Sequence, residues 1–256
     1  MVSYKIEYNL EQDAYNWWDS VNHWHSEGRL KTEEEREIAR KINGLSFEQA
    51  LEILRPYLEN RKNKSTGIFI ETMQEQFAEY FEAAVRKMEE VTGFSLAVEG
   101  CANNRAKEIA KIHPERTAPN ENLYFPITTF PAMVVYYEEG VIFTYAKIDN
   151  ELWGMPLDGT LHELLHFQTD AYWRQPQTMG TPEHLAAAKA VAALDEDQYF
   201  KLKESLTVIL DESWKPIITL PDCSYPEFGE IRQKLHEYYL KNRDFDALML
   251  YGASLV

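Results

Sequence analysis

The strongest constraint on the fold is a change of local pattern along the 256-residue chain. Helical periodicity dominates up to Gly93 and again after Pro156, whereas β-branched and aromatic runs occupy the stretch between them. These runs predict strands over Leu123–Phe130, Met133–Tyr137 and Val141–Tyr145, with a hairpin turn at Glu138-Glu139-Gly140 between the last two. The pattern therefore predicts an α+β fold that is mainly helical and has a small central, mostly antiparallel sheet.

Apolar spacing and helix-capping residues predict the helices on both sides of this sheet. Before the sheet, helices are expected over Thr32–Ile42, from the cap Ser46 to about Asn60, and over Ile68–Val91, with Thr92-Gly93 ending the last. After the sheet, they are expected over Asp158–Trp173, from Thr181-Pro182-Glu183, from Asp195 or Asp197 to about Leu210, and over Glu227–Asn242. The chain length suits one large domain, so we expect residues 1–256 to form a single domain.

The charge balance limits the classes of partner. There are 26 lysines and arginines against 42 acidic residues, a formal net charge of −16. Nucleic acids and anionic membranes need a cationic face, so the sequence argues against both as main partners. Only Cys101 and Cys223 carry thiols, which favours a reducing compartment. Without a secretory signal pattern or an apolar run of about 20 residues, the prediction is a cytoplasmic protein.

One segment carries a recognisable chemical pattern, His162-Glu163-Leu164-Leu165-His166. Residues four apart lie one above the other on a helix, so both imidazoles can bind one Zn²⁺ at about 2.0–2.1 Å. Glu163 is displaced by about 100° of helix and can reach a metal-bound water without becoming a ligand. The pattern therefore predicts a zinc site in which Glu163 is the general base.

The flanking residues favour this interpretation but leave an alternative open. Leu161, Leu164 and Leu165 are bulky and uncharged, so they would bury the helix and leave the two histidines in need of a polar partner. In the alternative, Thr160 and Glu163 form a capping box at the helix start. The motif would then be structural and the protein non-catalytic.

The segment resembles the zincin metallopeptidases, and the downstream helix resembles their gluzincin branch, in which a later glutamate completes the metal site. This resemblance covers roughly residues 94–210 and is similar in layout to the minimal gluzincins. It implies Glu204, 204 − 166 = 38 positions after His166, as the third ligand. The chain lacks both the Asn-Glu pair of thermolysin-like enzymes and the metzincin continuation, so Asp170 and Glu212 stay alternatives.

The resemblance also implies a fold and an activity. The sheet would pack against the His-Glu-x-x-His helix, with residues 1–92 as a helical N-terminal part and 93–256 as a zincin-like catalytic part. The expected function is a zinc-dependent peptidase acting on peptides, and the sheet edge would hold an extended substrate. A zinc hydrolase of a small, non-peptide amide is the alternative, and the sequence leaves the oligomeric state open.

Three further features are candidates for the site. Tyr225 or His236 would donate a hydrogen bond to the oxyanion, as gluzincins use a tyrosine or histidine for this purpose. Arg232 would bind a substrate or product carboxylate. His23-Trp24-His25 offers a weaker candidate for a second metal, because it lacks a third ligand.

Overall fold

The computed structural model describes residues 4–23, 26–61, 64–93, 123–131, 134–136, 141–145, 156–174, 181–222 and 225–256. The chain divides into two compact units. Unit 1 comprises Met1–Gln76 and Ala97–Pro156, and unit 2 comprises Phe77–Leu96 and Leu157–Val256. The expected single domain over residues 1–256, with parts meeting at residues 92 and 93, stays a prediction.

Unit 1 begins with a strand and four helices, which are β1 (Tyr4–Tyr8), α1 (Leu10–Asn22), α2 (Glu33–Ile42), α3 (Phe47–Arg61) and α4 (Lys64–Gln76). Asn9 caps α1 by accepting hydrogen bonds from two backbone N–H groups, and Thr32 with Glu35 forms a capping box on α2. Trp17 of α1 and Leu54 and Leu58 of α3 are fully buried in a shared apolar core. These helices therefore have a stable start and one buried face.

The sheet of unit 1 is mixed, with strands β2 (Leu123–Thr128), β3 (Val134–Tyr136) and β4 (Val141–Tyr145) beside β1 in the order β1-β2-β4-β3. β1 and β4 both run parallel to β2, and only β3 and β4 are antiparallel. The predicted antiparallel pair is confirmed, but the prediction of a mostly antiparallel sheet is wrong. β4 lies between β2 and β3 rather than beyond β3, and β1 pairs from the far end of the chain, which local pattern does not reveal.

A buried hydrogen-bond network joins α1 to the end of β2. Asp13 is fully buried and accepts hydrogen bonds from the Thr128 hydroxyl at 2.7 Å and from the Thr129 backbone and hydroxyl at 2.9 and 2.8 Å. Asn16 also donates to the Thr128 hydroxyl, at 2.8 Å. Burial raises the pKa of Asp13 to about 6, against the opposing effect of these donors. The chain segments that meet here are more than a hundred residues apart in sequence.

The secondary-structure elements described in unit 2 are all helices. A π-helical segment over Phe77–Phe81 is followed by α5 (Glu82–Thr92), α6 (Pro156–Arg174), α7 (Pro182–Ala192), α8 (Glu196–Leu206), α9 (Gly229–Asn242) and α10 (Phe245–Ala253). Gly93 ends α5 with a φ of 76°, a left-handed conformation that glycine adopts without strain. Leu202, Leu235 and Leu248 are fully buried where α8, α9 and α10 pack together.

The α+β class and the mainly helical content are as predicted. The predicted packing of the sheet against the His-Glu-x-x-His helix stays a prediction. None of the helices in the described ranges is both long and apolar enough to cross a membrane.

Candidate metal centre

Helix α6 presents the two histidines of the motif. It begins at Pro156, four residues before Thr160, so Thr160 lies inside the helix and the capping-box interpretation of Thr160 and Glu163 is wrong. His162 and His166 lie one turn apart, with ring centroids separated by 4.5 Å and ring planes at 79°. The neighbouring Leu161, Leu164 and Leu165 are fully buried, as the sequence predicted. Burial of α6 therefore leaves both imidazoles on one face of one helix.

Helix α8 brings Glu204 to the same point. Asp195 begins this helix through a capping box with Gln198, and Glu204 lies near its end with only 4% of its surface exposed. The His162 and His166 Nε2 atoms are 3.0 Å apart. They lie 3.3 and 3.2 Å from the Glu204 Oε2 atom. Two nitrogens and one carboxylate oxygen thus form a nearly equilateral triangle.

This triangle has the size that a tetrahedral zinc ion requires. Ligand atoms at 2.0–2.1 Å from a tetrahedral ion are roughly 3.3–3.4 Å from one another. The observed edges of 3.0–3.3 Å are within a few tenths of an ångström of this spacing. Two imidazole nitrogens so close repel each other unless a proton or a cation lies between them, and nitrogen with carboxylate oxygen is a donor set that zinc prefers. These three residues fit zinc.

The two alternative third ligands, Asp170 and Glu212, contact other residues. Asp170 accepts a hydrogen bond from the Tyr199 hydroxyl at 3.2 Å. Glu212 is exposed and pairs with Lys215. Within the described ranges, His162, His166 and Glu204 form the one group of potential ligands that meets at a point. The geometry thus brings together the two histidines of the motif and the glutamate that the resemblance implies.

Asp222 is a residue of the site that the sequence analysis missed. Its Oδ2 atom lies 2.6 Å from the Nδ1 atom of His162, so the imidazole donates from Nδ1 and turns Nε2 toward Glu204. Asp222 follows Pro221 in an irregular loop, where no periodicity predicts which residue it will meet. The sequence signal for this contact was only that Asp222 is an acidic residue downstream of Glu204.

The described contacts of Arg232 are to groups of the protein. It is 7% exposed, and its Nη1 atom donates to the Glu204 carbonyl at 2.9 Å and to the Thr207 hydroxyl at 2.7 Å. Its Nη2 atom donates to the Asp222 carbonyl at 2.7 Å. Since the guanidinium is engaged by the protein, Arg232 links the end of α8 to the Asp222 loop. Capture of a substrate carboxylate by this side chain stays a prediction.

The electrostatics of the cluster favour an ionised Glu204 and a neutral His166, the states in which these two residues bind a metal. Burial opposes ionisation of Glu204, but its hydrogen bonds to both histidines outweigh burial and hold its pKa well below the usual range. Burial, with the neighbouring His162, lowers the pKa of His166. For His162, the hydrogen bonds to Asp222 and Glu204 outweigh burial and raise the pKa, so a metal would have to displace a proton from this imidazole. Glu163 is half-buried, and burial raises its pKa.

The remaining candidates lie near other residues. Tyr225 has a φ of 54°, and its ring stacks on Phe228 at 5.6 Å between centroids and meets Phe200 edge-on at 5.7 Å. His236 lies on α9 with its Nε2 atom 3.0 Å from Asp211. The oxyanion roles of Tyr225 and His236 stay predictions.

The weaker candidates can be placed only in part. The Nδ1 atom of His23 contacts Asp19 at 2.7 Å, whereas Trp24, His25, Cys101 and Cys223 lie outside the described residues. The second metal site and the state of the two thiols therefore stay predictions.

Comparison of the chain with protein-family models, with curated proteins and with solved structures found no match. The residues themselves define the class of site. It is a candidate metal centre of two histidines and one carboxylate on two helices, with an aspartate behind one imidazole.

Proposed function

We propose that the protein is a zinc-dependent metallohydrolase of the gluzincin type and that its substrates are peptides. The observation that carries the proposal is the triangle of His162 Nε2, His166 Nε2 and Glu204 Oε2, with edges of 3.0–3.3 Å. Three protein ligands leave the fourth position of a tetrahedral zinc open, which is typical of catalytic rather than structural sites. The peptide substrate and the zincin-like arrangement rest on the resemblance of the His-Glu-x-x-His segment.

Zinc at this position would supply a Lewis acid that polarises a carbonyl and activates a water molecule. Glu163 is the proton carrier in this proposal. Its position beside His162 on α6 lets it take a proton from the attacking water and return it to the leaving amine. Burial raises its pKa, which suits a carboxylate that must hold a proton briefly near neutral pH. Asp222 keeps the His162 ring oriented through the hydrogen bond to its Nδ1 atom.

A small non-peptide amide would be hydrolysed by the same groups, so it stays the alternative substrate. The proposal places the enzyme in the cytoplasm, because a chain of 256 residues with two cysteines is typical of reducing compartments.

The first test is the metal content of the purified protein, measured by elemental analysis. We expect one zinc per chain in the parent, and loss or weakening of zinc binding in Glu204→Ala. Glu212→Ala is the matched control, since Glu212 is exposed and pairs with Lys215. It should bind zinc like the parent. A parent without zinc after supplementation would contradict the metal centre and the hydrolase together.

The second test separates catalysis from metal binding. Glu163→Gln keeps the size of the side chain but cannot carry the proton. We expect it to retain zinc and to lose roughly 10²–10⁴-fold in turnover, the usual contribution of a general base. Release of new amino termini from a mixture of denatured proteins measures turnover without knowledge of the substrate. Parent-like turnover in this variant would rule out the role given to Glu163.

A further inference from the structure

The two carboxylate oxygens of Glu204 have different neighbours. Oε2 faces the two histidines, at 3.3 and 3.2 Å. Oε1 lies 3.3 Å from the Nζ atom of Lys203, and the side chains of Lys203 and Glu204 are only 15% and 5% exposed. The ion pair is therefore largely shielded from water. In such surroundings opposite charges attract each other more strongly than at the protein surface. One oxygen is directed at the metal position and the other at a cation.

Lys203 is held in place by a second contact. Its Nζ atom lies 5.7 Å from the centre of the Phe200 ring, one turn before Glu204 on the same helix. Phe200 in turn packs edge-on against Tyr225 and Phe228. A cation over an aromatic face gains further electrostatic attraction. The lysine thus lies between an aromatic cluster and the carboxylate, and both neighbours restrain it.

The difference between the two oxygens matters because a glutamate can bind zinc through one oxygen or through both. Binding through both would add Oε1 beside the water position and make the metal five-coordinate rather than four-coordinate. We infer that Lys203 is a positioning residue that holds Oε1 away from the metal. Glu204 would then bind through Oε2 alone, and the metal would stay four-coordinate with one position for water. This inference rests on the proposed function, because it presupposes a metal held by His162, His166 and Glu204.

The test compares the coordination number of bound Co²⁺ in the parent and in variants of Lys203. Cobalt replaces zinc in such sites, and four-coordinate Co²⁺ absorbs visible light much more strongly than five-coordinate Co²⁺. Lys203→Met removes the cation while keeping an unbranched side chain of similar length. Lys203→Arg keeps a cation, and Lys201→Met removes the same charge two residues earlier on α8. No described contact joins Lys201 to His162, His166 or Glu204.

We expect Lys203→Met to bind cobalt at least as tightly as the parent, because a repelling charge is removed and a second oxygen can bind. Its visible absorption should change from the strong four-coordinate band to the weak five-coordinate band. Turnover should fall by roughly 10–100-fold, the range for groups that act on metal ligands from outside. Lys203→Arg should restore the strong band, and Lys201→Met should match the parent.

The outcomes distinguish the role of Lys203, the metal centre and the hydrolase activity from one another. An unchanged strong band in a folded Lys203→Met variant overturns the role of Lys203 and leaves the metal centre intact. If Lys203→Met does not fold, as judged by urea unfolding, Lys203→Ala is measured instead, with the same expectation. A parent that binds no cobalt or zinc overturns the metal centre and this inference with it. A parent that binds metal but hydrolyses nothing overturns the hydrolase, while the spectral change still tests Lys203.

Discussion

The two histidines of the site differ in the hydrogen bonding of their Nδ1 atoms. The Nδ1 atom of His162 is 2.6 Å from Asp222, a charge-assisted hydrogen bond that sets the orientation of the ring. The Nδ1 atom of His166 is buried and has no hydrogen-bond partner among the described residues. The position of His166 therefore depends on packing in α6 and on its Nε2 contacts. Asp222 is the side chain that orients a ligand by a direct hydrogen bond.

Removal of Asp222 should weaken zinc binding without removing a ligand. In Asp222→Ala, the His162 ring loses its acceptor, so both its orientation and its basicity change. We expect zinc affinity to fall by roughly 10–100-fold, as is usual for outer residues of metal sites. Competition with a chelating dye measures this directly. Asp197→Ala removes an exposed acid from the first turn of α8 and should leave the affinity unchanged. Equal affinities in both variants would argue that Asp222 is not part of the site.

How much of the site can be predicted from sequence depends on how far apart its residues lie along the chain. His162, Glu163 and His166 lie within one helical turn, so helix geometry alone predicts their common direction. Glu204 follows only from the resemblance to the gluzincins, because nothing local relates α8 to α6. Asp222 and Lys203 were missed for the same reason. Their contacts arise from loop placement and from the direction of one carboxylate oxygen.

Arg232 connects three segments of unit 2. It extends from α9 and donates to carbonyl groups at the end of α8 and in the Asp222 loop, and to the Thr207 hydroxyl. A planar guanidinium can serve these acceptors at once, which a lysine ammonium cannot. The two segments that carry Glu204 and Asp222 are therefore held by one side chain of a third segment.

Substitution of Arg232 should cost stability and metal affinity together. Arg232→Met leaves buried acceptors without donors, and hydrogen bonds to charged groups are worth about 1.5–3 kcal/mol each. We expect the free energy of unfolding to fall by about 3 kcal/mol in urea titrations. We also expect weaker zinc binding. Lys234→Met on the same helix removes an exposed charge that pairs with Glu230 and should change stability by less than about 0.5 kcal/mol. If Arg232→Met lost turnover only, with stability unchanged, a role in substrate binding would be favoured instead.

The link between α1 and β2 in unit 1 predicts a dependence of stability on pH. Burial raises the pKa of Asp13 to about 6 in the folded protein, whereas an aspartate in an unfolded chain titrates near 3.9. The folded state therefore binds the proton more tightly, and the stability that this provides is present at low pH and lost as pH rises through about 6.

Compared with Asp13→Asn, the parent should gain roughly 2–3 kcal/mol of relative stability as pH falls from 7.5 to about 4, from a pKa difference of about two units. Urea unfolding at a series of pH values measures this difference. Asp197→Asn serves as the control, because Asp197 is exposed, and its profile should parallel that of the parent. Parallel profiles for the parent and Asp13→Asn would mean that Asp13 stays ionised over this range.

The helices were predicted better than the sheet, for a physical reason. Capping residues and apolar spacing act within a few residues, so the predicted helix over Asp158–Trp173 differs by two residues at the start and one at the end from Pro156–Arg174. β1 was missed because its pairing partner lies more than a hundred residues away in sequence. α10 was missed although Asp244 caps it, because the mostly apolar run Phe245–Ala253 shows no amphipathic spacing.

At the scale of the whole molecule, the polar networks are separate in sequence and in role. Unit 1 contains Asp13 with its threonine donors, and unit 2 contains all three candidate ligands together with Asp222, Lys203 and Arg232. A metal stabilises the state in which its ligands are assembled, because it binds that state and not the unfolded one. Zinc should therefore stabilise the helices that carry ligands, α6 and α8, by a direct effect, whereas α1 and α3 contain no ligand.

Hydrogen exchange with and without zinc measures this difference along the chain. At a free zinc concentration 100 times the dissociation constant, binding contributes about 2.7 kcal/mol, which corresponds to roughly 100-fold slower exchange of amides that open only when the site opens. We expect this slowing for peptides from α6 and α8 and little change for peptides from α1 and α3. Glu204→Ala should abolish the slowing, while Glu212→Ala should preserve it. Equal slowing in α1 and α3 would instead show that the ligand-bearing helices do not open independently of unit 1 and that zinc stabilises the whole chain as one cooperative unit.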